Sequence, residues 1–133
     1  MKNLILIALF FLGSLSSIMS QNVDFDKKNF SNNKDGFKQA LADLHEGNLA
    51  YFNGVFSQAI EPFEKAQNFN PNNAELNGKI ADCYFQTDDI HKAKQLLESV
   101  FKLDAQPDGY FVYLNAQIKH SENEFDEAIK LYR

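Results

Sequence analysis

Cysteine is almost missing from this chain. Cys83 is the only one in 133 residues, so no internal disulfide can form. Its setting, between Ala81 and Tyr84 on a helix, predicts a buried packing role rather than a reactive thiol. Basic charge is also scarce. Thirteen Lys and Arg stand against eighteen Asp and Glu, for a net charge of −5. Nothing supplies the basic stripe that a nucleic-acid partner requires, so that class is excluded. Long apolar runs are lacking too: the unbroken run from Leu4 to Leu12 is shorter than the about 20 predominantly apolar residues that cross a bilayer. Catalytic signatures are missing as well. His45, His91 and His120 form no i, i+4 pair of the kind a helical metal site uses. No phosphate loop or nucleophile motif occurs, and Ser57, Ser99 and Ser121 have no local base. Asp88-Asp89-Ile90-His91 reads as a capped helix start, and Glu61/Glu64 and Glu124/Asp126/Glu127 as solvated helix faces. The expectation is no enzyme, no metal and no cofactor.

What the chain does have is a period. Gly47, Ala81 and Ala116 place a small residue at intervals of 34 and 35. Phe56, Ile90 and Phe125 repeat both intervals with a large apolar residue, as do Ala59, Ala93 and Ala128, and Phe63, Leu97 and Tyr132. Four columns share one period and one single-residue insertion. Such a period marks stacked helical hairpins, because one unit cannot bury its own apolar face. Phe56, Ile60 and Phe63 form one amphipathic stripe, and Ile90, Ala93, Leu97 and Val100 form the next. Small residues are expected where two helices come close. Asn53-Gly54, Thr87-Asp88-Asp89 and Ser121-Glu122-Asn123 read as turns within hairpins, with Thr87 or Asp88, and Asn123, as N-caps. Asn70-Pro71-Asn72-Asn73 and Gln106-Pro107-Asp108-Gly109 read as loops between hairpins.

These columns resemble the tetratricopeptide repeat. Gly47, Tyr51, Phe56, Ala59, Phe63, Ala66 and Pro71 fit a first repeat, with its first-helix aromatic displaced by one position. Ile80, Ala81, Tyr84, Ala93, Leu97 and Val100 fit a second. A third runs from Ala116 to Tyr132, with Lys119 where the aromatic is expected. The resemblance implies an all-α superhelix over residues 37–133, with repeats at about 40–73, 74–108 and 109–133. Its concave face would bind a protein or an extended peptide. Carried over by position, that face comprises Asn48, Tyr51 and Phe52, then Asp82, Phe85 and Gln86, then Tyr113, Gln117 and His120. Amides suit peptide backbone and rings suit apolar side chains. The alternative for each ring is packing against the next repeat. A chaperone-tail carboxylate clamp is not expected: Asn48 matches it, but Leu44, Tyr110 and Leu114 stand where it needs basic residues.

The N-terminus carries a separate signal. Lys2, the run Leu4–Leu12 and the small residues leading to Ser20 read as a secretory signal peptide over residues 1–20, with a retained anchor as the alternative. Its removal takes Lys2 and no acid, leaving a net charge of −6 on a mature chain that does not span a membrane. Residues 21–36, with isolated Phe25 and Phe30, read as a leader along the first helix. At the other end Ile129, Leu131 and Tyr132 are apolar with no capping helix after them, which reads as a piece of a longer protein or as a face covered by a partner.

The export signal, the Asn-rich leader, Asp-Gly-Phe-Lys-Gln-Ala at 35–40 and Glu-Gly-Asn at 46–48 together resemble the N-terminal repeat region of Bacteroidetes outer-membrane-protein-A-family envelope proteins. That resemblance implies a periplasmic or outer-membrane-associated docking module, in some members serving type IX secretion. Peptidoglycan would be bound only through a domain absent from this chain. The competing class is the sensor repeat region of a membrane histidine kinase.

Overall fold

The computed structural model describes residues 21–133, so the signal-peptide expectation lies outside the described residues. Six α-helices follow a short 3-10 turn, Lys27–Phe30: α1 Lys34–Phe52, α2 Phe56–Phe69, α3 Ala74–Gln86, α4 Ile90–Leu103, α5 Gly109–Ser121 and α6 Phe125–Leu131. There is no strand among the described residues. α1 packs on α2, α3 on α4 and α5 on α6, and the pairs stack through α2 on α3 and α4 on α5. None of the described helices is long and apolar enough to cross a membrane.

The periodic columns are the core. Ala59, Phe63, Ala81, Ala93 and Ala116 are fully buried, as are Leu97 and Ala128 to within a few per cent. The small-residue column has the expected cause. A Cβ on Gly47 would stand 2.3 Å from the Phe63 ring, so α1 and α2 touch only because that side chain is missing. A contact between repeats works the same way: a Cβ on Gly78 in α3 would meet the Phe111 ring of α5 at 2.4 Å. Buried Asn77 ties the pairs together, accepting from Gln67 Nε2 at 2.8 Å and donating to the Pro71 carbonyl at 3.0 Å. Pro62 lies inside α2 and is buried. It denies the Gln58 carbonyl its helical donor, which a sequence reading of α2 as regular helix does not anticipate.

The helix ends correct part of the cap assignment. α4 is capped by Asp89, whose carboxylate accepts from the Lys92 N–H at 3.2 Å, not by Thr87 or Asp88. Thr87 closes α3 instead, its hydroxyl donating to the Cys83 carbonyl at 2.9 Å. Asn123 does not cap α6; Glu124 holds that position without a side-chain bond to the helix. The reason lies in the backbone. Asp88 and Asn123 are left-handed, at φ 64° and 63°, and Gly54 in the first hairpin is left-handed at 73°. An N-cap needs extended backbone and so falls one residue later. These three residues form a further column at 34 and 35. Asx side chains tolerate the left-handed region that glycine enters freely. The single-residue insertion falls in the α4–α5 loop, residues 104–108, against 70–73 for the α2–α3 loop.

α1 begins at Lys34, ahead of the residue 37 start read from the sequence. The leader reaches further than the first helix. Phe30 stacks on Phe37 of α1 at 5.4 Å and tilts against Phe69 of α2 at 4.9 Å. Val23 then pairs with the α2–α3 loop. Its N–H donates to the Asn72 carbonyl at 2.7 Å, and its carbonyl accepts from Asn70 Nδ2 at 2.8 Å and Asn73 Nδ2 at 2.9 Å.

Candidate binding groove

The first helices of the three hairpins, α1, α3 and α5, present one shared face, and Asp82 of α3 is its hub. The Tyr51 hydroxyl of α1 donates to Asp82 Oδ2 at 2.6 Å, and the Tyr110 hydroxyl of α5 donates to Asp82 Oδ1 at 3.0 Å. Gln86 Nε2 donates to Oδ1 at 3.1 Å. One carboxylate thus links all three repeats. It is 2 % exposed, so it forms the floor of the face rather than an accessible contact. Tyr51 likewise packs within the array, its ring against Phe52, Phe56 and Phe63. Of the two readings for this ring, packing against the next repeat describes its position. Asn48 is also engaged, its Oδ1 accepting from Lys79 Nζ at 3.0 Å. Phe52 is 75 % exposed, with Lys79 Nζ 5.6 Å from its ring centroid.

The third-repeat residues gather elsewhere. Phe85, Tyr113, Gln117 and His120 line one open pocket of about 550 Å³ together with Ser121 and Tyr132. The Tyr113 and Tyr132 rings lie 5.8 Å apart at 58°, and His120 meets Phe125 edge-on at 5.3 Å. The nine residues therefore divide into a braced part around Asp82 and an accessible part around Tyr113. Tyr110 was missed as a member of the face. Its signal was available: it lies three residues before Tyr113 on one helix, a spacing that shares a face.

The hub changes how its phenols titrate. Burial first, and then the hydrogen bond to the Asp82 carboxylate, hold the Tyr51 phenol well above its ordinary value. Tyr110 is pushed from 10.0 up to about 12, by burial of its hydroxyl end and then by the Asp82 charge. Burial, followed by a hydrogen bond to Glu64, pushes Tyr84 up to about 12. Cys83, fully buried, is likewise driven from 9.0 up to about 12, as its packing role requires. The folded state therefore holds these phenolic protons more tightly than the unfolded chain does. That stabilisation is complete below pH 10.0, the unfolded value, and is lost as pH rises towards about 12. Unfolding midpoints measured against pH should stay level up to about 10 and then fall. If all five tyrosines ionised near 10 with the fold intact, the hub would not exist as described.

Among the described residues no group of three or more His, Cys, Asp or Glu could hold a metal ion. Residues 53–118, from the turn of the first hairpin through most of α5, match the family model of the tetratricopeptide repeat. The fold is a tetratricopeptide-repeat solenoid. A comparison with curated proteins gives no match. Tetratricopeptide repeats are protein-interaction scaffolds, typically without chemistry of their own, and bind proteins or peptides.

Proposed function

We propose that this chain is a non-catalytic docking module of the bacterial cell envelope, and that the α1–α3–α5 face of its repeats binds an extended segment of an envelope protein. The observation that carries this reading is the open pocket where Phe85, Tyr113, Gln117 and His120 converge beside the braced hub. Rings for apolar groups and an amide for backbone hydrogen bonds stand there together, on the face that repeats of this family use for peptides. Rigid elements hold them, which limits the ordering penalty of binding. The export signal at Lys2, Leu4–Leu12 and Ser20 supports a periplasmic or outer-membrane-associated setting. The layout resemblance supports a place at the N-terminal end of a peptidoglycan-associated outer-membrane-protein-A-family protein, with type IX secretion as the process served.

The test is a pull-down from envelope extract with the whole chain, followed by affinity measurement on the captured partner. Phe85→Ala and Tyr113→Ala should each weaken capture by about 1–2 kcal/mol, the effect of truncating an anchoring aromatic, with helicity unchanged. Partners retained at full affinity by both folded variants would move binding to another face. Tyr51 is unsuitable for this test, since its hydroxyl braces the hub.

A further inference from the structure

Asp82 has an unusual set of partners. It is 2 % exposed, and the groups that donate to it are two phenols and an amide, all neutral. None of the ion pairs among the described residues includes it. A buried carboxylate held this way keeps a negative charge that no cation offsets, in surroundings where charge is weakly screened. One helical turn along α3 stands Phe85, which with Tyr113 and Tyr132 rims the open pocket. No lysine, arginine, aspartate or glutamate lines that pocket. Elsewhere the aromatic faces already have cations of their own: Lys92 Nζ lies 4.6 Å from the Tyr84 ring centroid, and Lys79 Nζ lies over Phe52. The rings at the pocket are those left for a visiting cation, and ring faces attract one.

We propose that the groove selects an extended segment carrying an arginine or lysine, whose cationic group enters the Phe85–Tyr113–Tyr132 pocket within the field of Asp82. This rests on the peptide-docking reading above and names the chemistry of the docked segment. Three features act together: the rings offer π faces, Gln117 offers an amide to the guanidinium or to the backbone beside it, and the uncompensated carboxylate favours positive charge over neutral or negative. The groove would then oppose in sign the carboxylate-gripping clamp, whose basic positions are occupied here by Leu44, Tyr110 and Leu114.

The experiment titrates the whole chain with capped alanine peptides bearing one central arginine, lysine, norleucine or glutamate, following the ring resonances of Tyr113 and Tyr132. The arginine and lysine peptides should shift both rings saturably and bind roughly tenfold tighter than norleucine, with glutamate weaker still. Tyr113→Leu, at an exposed ring, should abolish the preference. Asp82→Asn should reduce it severalfold while leaving norleucine binding alone, and Tyr113→Leu decides the matter if Asp82→Asn fails to fold. Equal binding of arginine and norleucine at these rings would overturn the cation preference and leave the docking reading standing. No shift at these rings with any peptide would also overturn the pocket assignment, whatever the envelope pull-down captures.

Discussion

Phe63→Ala is expected to lower the unfolding free energy by about 3–5 kcal/mol, a large share of the about 5–15 kcal/mol by which a typical domain is stable. Phe63 is fully buried, and its ring fills the space that Gly47 leaves open on α1. It also packs against the Tyr51 ring, 6.0 Å between centroids, next to the hydroxyl that reaches Asp82. Truncation would remove both the burial and the backing of the hub. The helices cannot collapse onto the void, because Ala59 and Ala66 on the same face of α2 already sit at zero exposure. Denaturant titration of the variant would show it, and a loss below about 1 kcal/mol would mean that the core relaxes freely around this site.

Gly47→Val acts on the same contact from the other side. A side chain at 47 would start 2.3 Å from the Phe63 ring. Overpacking of this kind typically costs about 1–3 kcal/mol, and a branched side chain directed into a filled ring belongs at the upper end. Exchanging glycine for valine within a helix returns only a few tenths of a kcal/mol through propensity, so the clash decides the sign. The diagnostic measurement is a double-mutant cycle. Gly47→Val combined with Phe63→Ala should be more stable than the sum of the single losses predicts, by about 0.5–3 kcal/mol. Strict additivity would show that the two side chains do not share one space.

The hairpin architecture was legible in the sequence because one physical requirement recurs in every unit. Gly47, Ala81 and Ala116 answer the same close approach, and Ala59, Ala93 and Ala128 answer its counterpart on the second helix. The left-handed column of Gly54, Asp88 and Asn123 was harder to read. Its residues share no size or polarity, only tolerance of positive φ, so two of them looked like caps. Contacts that occur once have no period to reveal them. Gly78 against Phe111, the clasp of Val23 by Asn70 and Asn73, and Pro62 within α2 are of this kind. The groove was half legible. Positions on the face could be carried over from the repeat pattern, and Phe85, Tyr113, Gln117 and His120 do meet around one pocket. What position alone could not convey is that Asp82 is consumed by Tyr51 and Tyr110, because that depends on where three separate helices place their hydroxyl and carboxylate groups.

The shared left-handed residue at each hairpin turn bears on how such a protein can change over generations. With Gly54, Asp88 and Asn123 fixing the same backbone corner, a duplicated unit arrives already folded back on itself. Freedom to vary is left to the joints between units, four residues at 70–73 and five at 104–108. Lengthening one joint by a residue re-aims everything downstream as a rigid block, carrying Tyr113 and its neighbours relative to Tyr51 without altering any helix. Ligand preference in this scaffold can therefore drift through joint length, a route that leaves the core under no new selective pressure.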